Sequence, residues 1–289
     1  MLYVLLSICC SVIVSILLKL AKRYQIDVFQ AITWNYSMAI LLTWVFLKPQ
    51  LNNLQSAPFY IYSLLGLLLP SLFVVIAASI RYTGIVRTEI AQRLSLFIPI
   101  IAAFLLFGEE LTAAKIIGII LGFAAIICSV PWQKERYQTQ KRPSNTWLYL
   151  LVVFVGMGII DILFKQMALF KGVSYPASLF MVYVISFVLG LIGLIYLFAT
   201  KKLKFSWPHI LFGWILGIAN FGNILFYLKA HQALVKDPSI VFSAMNIGVI
   251  ALGAFVGLLI FKEKLSRLNK IGIVLAVIAI IVIYYPQMF

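Results

Sequence analysis

Asp161 and Lys165 stand one helical turn apart in the run Ile160-Asp-Ile-Leu-Phe-Lys165, inside a stretch that is otherwise almost wholly apolar. An acid four residues before a base is a good geometry for mutual neutralisation, so a structural ion pair is the expected arrangement. If the ammonium points elsewhere, the same carboxyl becomes a group that can bind and release a proton. Glu89 and Arg93 repeat the acid-then-base spacing, and Ser7, Ser11, Ser15 and Lys19 form a polar stripe on one helical face. Asn220, Asn223 and Tyr227 share another face, and Trp34, Tyr36, Tyr183 and Asn246 add hydrogen-bonding groups within further apolar runs. Serines and amides in such runs also serve as packing and interhelical bonds, which is the plainer reading of any one of them. Together they predict a shared polar interior that contacts a small solute, with Arg93 as the anchor for an anionic group.

Catalytic chemistry has little to stand on. His209 and His231 are not spaced with a carboxylate or cysteine as metal ligands, there is no His-Glu-x-x-His or Gly-x-Ser-x-Gly, and no Walker motif is present. Neither a catalytic group nor a metal or cofactor is expected. Cys9, Cys10 and Cys128 lie in apolar segments and read as small fillers.

The elements that carry these residues are membrane spans. Of 289 residues 64% are hydrophobic and 11% charged, and a mean hydropathy of +1.08 excludes a soluble surface. Ten segments suit a helix that crosses a bilayer: 2–20, 30–47, 59–80, 88–107, 112–130, 147–170, 176–199, 209–230, 238–261 and 267–286. A backbone in lipid must satisfy its own hydrogen bonds, which favours helices, and no alternating strand pattern is present.

The net charge of +15 does not imply nucleic acid, because the basic residues sit in the loops. Counted on alternate sides, 17 of the 23 Lys and Arg fall on one side, among them Lys19, Arg87, Arg136, Lys201 and Arg267. The positive-inside rule makes that side cytoplasmic and puts both termini outside, in an integral, multi-pass protein of the plasma (inner) membrane. The first span is followed by basic residues, not preceded by them, and so reads as a retained span and not as a cleaved signal.

The chain repeats itself. Phe107-Gly-Glu-Glu-Leu111 and the following glycine-bearing span recur 154 positions later at Phe261-Lys-Glu-Lys-Leu265, with ten of 21 aligned residues identical from Phe107 to Ile127. This predicts a first five-helix repeat at 1–130, a cytoplasmic linker at 131–146 and a second five-helix repeat at 147–289. Five is odd, so the second repeat enters the membrane inverted. Pro99 and Gly253 stand at equivalent places and are expected to interrupt their helices, as paired breaks do near the binding region of repeat-built transporters. Spans five and ten carry Gly118, Gly122, Gly272 and Ala276 but little polar side chain, and read as edge helices that could join a homodimer.

Two five-helix halves, each closing with a span, an x-Glu turn, Leu and a final span with glycine, resemble the drug/metabolite transporter superfamily, of the EamA-like kind. The likeness rests on Ala78-Ser-Ile-Arg-Tyr-Thr83, Leu96-Phe-Ile-Pro99, Phe107-Gly-Glu109-Glu-Leu111 and Gly118, and is less full in the second half, where Gly253 replaces the proline and Lys262 the glycine. The resemblance implies movement of small metabolites, often amino acids and related compounds, through a central cavity, and cytoplasmic termini where the loop charges say the opposite; a secondary transporter that exports such a metabolite is the leading reading. A membrane binding or scaffolding protein that does not translocate, and an intramembrane enzyme, are the alternative readings.

Overall fold

The structure, a computed structural model, describes residues 2–51, 57–83, 85–129, 145, 147–201, 203–259 and 266–284. The greater part of the 131–146 linker and the Phe261–Leu265 repeat of the motif lie outside these residues.

Every regular element among the described residues is helical: α1 (Leu2–Arg23), α2 (Val28–Leu42, continued by a π-helical turn Thr43–Leu47), α3 (Phe59–Thr83), α4 (Ile85–Leu94), α5 (Phe97–Leu105), α6 (Ala113–Ser129), α7 (Trp147–Leu169), α8 (Tyr175–Ala199), α9 (Trp207–Ala233), α10 (Pro238–Leu259) and α11 (Arg267–Tyr284). Among the described residues four helices, α3, α7, α8 and α9, are long and apolar enough to cross a membrane, and α1, α6, α10 and α11 carry shorter apolar runs. Exposed Leu, Ile, Val and Phe side chains cover the outer faces, as in Leu105, Ile120, Val188 and Ile195. A surface of that kind suits lipid, and the protein is an α-helical membrane protein.

The fourth expected span is interrupted as Pro99 suggests. α4 ends at Leu94 and α5 starts at Phe97, with turns between them closed by Leu96 N–H to Arg93 O and Ile98 N–H to Ser95 O. Proline has no N–H to give, so the third residue of a new helix is a place where it costs little. Gly253 does not behave in the same way. It lies inside an unbroken α10, because glycine keeps its N–H and only weakens a helix, and the expected second break is corrected to a continuous helix.

Packing pairs the helices in an exchanged pattern. α1 packs on α9 and α10, while α7 packs on α3 and on α4 and α5; α2 packs on α9, while α8 packs on α3. α2 meets α8, and α6 meets α11. If α1, α2, α3, α4–α5 and α6 are matched in order to α7, α8, α9, α10 and α11, these contacts turn into one another.

Small residues set how closely the helices approach. A Cβ on Gly213 would stand 2.6 Å from the Ala31 carbonyl oxygen and one on Gly217 2.7 Å from that of Asn35, so α9 rests on the backbone of α2. At the edge, Ala125, Ala276 and Ala279 are fully buried where α6 meets α11, with Ile240 and Ile247 of α10 packed among them. The small faces of the edge helices are therefore occupied within one chain.

Candidate functional site

α9 organises the interior. Asn220, Asn223, Tyr227 and His231 follow one another at three- and four-residue steps along it, and three of the four touch a group on another helix. Ser7 of α1 donates its hydroxyl to Asn223, 2.9 Å from Oδ1 and 2.8 Å from the backbone oxygen. Tyr227 donates to Asp161 Oδ1 of α7 at 2.9 Å, with its ring edge-on to Phe164. His231 is fully buried between the rings of Tyr227 and Phe242, at 4.7 and 4.8 Å. Neither of its ring nitrogens has a hydrogen-bond partner among the described residues.

The expected Asp161–Lys165 pair is not formed, and this corrects the reading of the sequence. Lys165 Nζ turns toward the end of α9, donating to Val235 O at 3.1 Å and to His231 O at 3.4 Å, and stands 6.0 Å from the centre of the Phe107 ring. The last carbonyls of a helix lack intrahelical donors and carry the negative end of its dipole, so they hold an ammonium well. The carboxylates of Glu109 and Asp237 are near enough to attract its charge. Among the described residues Asp161 makes no ion pair. Its one hydrogen bond there comes from a neutral hydroxyl.

Above Lys165 lies a third cluster that sequence reading had not assembled. Lys115 Nζ is 2.9 Å from Glu109 Oε1 and 2.6 Å from Asp237 Oδ1, and it donates to Glu110 O at 3.2 Å. Glu109 also accepts the backbone N–H of Ser239 at 2.8 Å through Oε2 and the Ser239 hydroxyl through Oε1. The signal was in the repeated Phe-x-Glu-x-Leu motif, read there as a mark of duplication and of family likeness but not as a contact.

The aromatic groups form a separate locus. Tyr36 of α2 and Tyr183 of α8 are both buried, with ring centres 6.4 Å apart, and their hydroxyls have no partner among the described residues, nor has that of Ser186. Trp34 is half-buried against Phe187, 6.0 Å between centres. Asn220 and Asn246 are half-buried, and the Asn246 amide donates to Phe242 O of its own helix at 3.1 Å, with no bond to a second helix among the described residues. Arg93 is half-buried in the last turn of α4, a helix that packs on α3, α6 and α7. The side chains of Lys19 and Glu89 lie outside the described residues. Asp161, Tyr227, Asn223 and Ser7 are thus brought together, and Tyr36 and Tyr183 are brought to each other.

A polar line of this kind, half-buried to buried in an apolar helical body, suits contact with a small polar solute inside the membrane. Residues 1–130 match the EamA-like transporter family model. An uncharacterized protein of Haemophilus influenzae (strain ATCC 51907 / DSM 11121 / KW20 / Rd) is 44% identical over 289 residues, covering 96% of each chain. A solved crystal structure superposes with a TM-score of 0.78 over 99% of this chain and 96% of that one, at 12% identity, which speaks for the fold alone. The interrupted α4–α5 span and the Phe-Gly-Glu turn both fall inside the matched region, and residues 1–130 belong to the EamA-like transporter family of the drug/metabolite transporter superfamily, whose members are membrane transporters of small molecules.

Proposed function

We propose that the protein is a secondary transporter that exports a small metabolite, such as an amino acid or related compound, across the plasma (inner) membrane by alternating access. The observation that carries this reading is the α9 line, where Asn223 and Tyr227 meet Ser7 of α1 and Asp161 of α7 deep among apolar helices. Such groups are expensive in a membrane unless they serve a solute path.

Ten spans in two inverted five-helix repeats form the transport body. The exchanged pattern of helix contacts supports this, since two copies of one unit related by inversion have two nearly equivalent packings, one open to each side. Both termini lie outside and the 131–146 linker inside, on the strength of the loop charges. The solute is held between the halves by Asn220, Asn223 and Tyr227 on one side and by Trp34, Tyr36 and Tyr183 on the other, with Arg93 and Asn246 reached as the halves rearrange. A homodimer through α6 and α11 would use their outer faces, such as Ile116, Ile120 and Val274, since the small residues are already buried.

Untargeted metabolite profiling of cells that overexpress the protein, and of cells that lack it, identifies the solute. Accumulation of one polar compound in the medium of overexpressing cells, with retention in the deleted strain, is the expected result. Identical profiles in both strains would count against export.

A further inference from the structure

Asp161 holds a carboxyl deep in α7, eight residues before the helix ends, about 12 Å along its axis at 1.5 Å per residue. A carboxylate at that depth needs compensation, and among the described residues no cation is paired with it. On its own helix, Lys165 is turned away to the carbonyls of His231 and Val235. From α9 come Tyr227, a neutral donor to Oδ1, and His231, whose ring stands edge-on to Tyr227. Among the ionisable groups of α3, the Tyr62 hydroxyl bonds Ser178 of α8, and the Tyr82 ring stacks on Tyr149 at the far end of α7. α4 brings Arg87, which is exposed, and Arg93, in its last turn; the side chains of Arg81 and Glu89 lie outside the described residues. α5 has no ionisable residue, and α8 offers Tyr183, paired with Tyr36. At the end of α7 the Glu109 and Asp237 carboxylates share Lys115.

From this placement we infer that Asp161 is a proton-binding site, and, taking the transporter reading as its basis, that proton uptake and release there link solute movement to the proton gradient. One proton adds to the free Oδ2, converting carboxylate to carboxylic acid while Oδ1 keeps the Tyr227 hydrogen bond. The same proton leaves to the opposite aqueous side when the helices repack, so no oxidant, reductant or other reactant is required. The neutral form needs no cation, which is why Lys165 can serve the end of α9 instead of Asp161. Tyr227 joins the coupling group to Asn223 through the backbone of α9, so the proton site adjoins the groups proposed to hold the solute.

The site is tested without a known solute, using the proton as the probe. The full-length protein is reconstituted in phosphatidylethanolamine and phosphatidylglycerol vesicles and titrated by infrared difference spectroscopy in the region of the protonated carboxyl C=O stretch. A band that appears on acidification across the physiological pH range, is lost in Asp161→Asn and returns at a shifted frequency in Asp161→Glu is the expected result. Asp161→Glu also shows that the pocket still folds. The inference is overturned if no such band titrates in the parent, or if the band survives unchanged in Asp161→Asn. Coupling is read in the same vesicles with radiolabelled amino acids supplied singly: gradient-driven accumulation lost in Asp161→Asn, with exchange retained, supports it. Exchange in the parent that no pH gradient drives overturns the coupling but leaves the transporter reading standing, whereas vesicles that show the infrared band but carry no solute count against that reading instead.

Discussion

Glu109 seats its carboxylate on the first turn of α10, with Oε2 accepting the N–H of Ser239 at 2.8 Å. The chain turns toward that position at Gly108, three residues after α5 ends, where φ is +64°, a left-handed conformation in which other residues are strained. A carboxylate there satisfies N–H groups that the helix leaves unpaired and complements its dipole. Lys115 balances the charge from α6, so one small network ties the α5–α6 turn and α6 to α10.

Glu109→Ala removes the cap and leaves Lys115 buried with half its compensation. We expect a loss of about 3 kcal/mol, the usual scale for breaking a buried pair, read as a lower melting temperature of the purified protein in detergent. Lys115→Ala has a similar cost, and the double variant costs clearly less than the sum. Additivity within about 0.5 kcal/mol would show that the two side chains do not act together.

Two glycines are predicted to behave in opposite ways. Gly213→Leu drives a side chain into the backbone of α2, where even a Cβ would lie 2.6 Å from Ala31 O, and should cost at least about 1–3 kcal/mol or prevent assembly. Gly253 has open space around its missing Cβ, so Gly253→Ala is tolerated and gains up to about 1 kcal/mol from helix propensity. Thermal unfolding of both variants checks the contrast. Equal effects would mean that the close approach of α9 to α2 does not govern stability.

Orientation is open to a direct experiment. In a background without the native cysteines, Phe289→Cys is expected to react with an impermeant thiol reagent in intact cells and Gln140→Cys to be protected, as the loop charges require. The reverse pattern would put both termini in the cytoplasm.

Much of the architecture was legible because membrane helices announce themselves by uninterrupted apolar length and because the repeat preserves a charge and a glycine in frame. Pro99 marked a real interruption, since a missing N–H acts locally. Gly253 misled, because a glycine's effect depends on whether its neighbours hold the helix together. The α9 line of Asn220, Asn223 and Tyr227 was readable from spacing alone. The partner of Asp161 was not, because spacing within one helix says nothing of the free carbonyls at the end of α9 that draw Lys165 away, nor of Tyr227 approaching from another helix. The Glu109 cap was hidden for the same reason: its partner lies 130 positions along the chain. The repeat predicts an equivalent role for Glu263, which lies outside the described residues.

The central claim, that the polar line of α9 belongs to a solute path, is tested by counterflow of radiolabelled amino acids, supplied singly, in proteoliposomes containing the parent, Asn223→Leu or Gly253→Ala. The account predicts saturable flux of at least one of them in the parent and in Gly253→Ala. In Asn223→Leu, where Ser7 loses a side-chain partner and the solute a polar contact, flux should fall at least about tenfold, the effect of roughly 1.4 kcal/mol and within the range for an unsatisfied buried group. Flux in Asn223→Leu equal to the parent at matched incorporation, or no flux above empty liposomes for any amino acid, would contradict it.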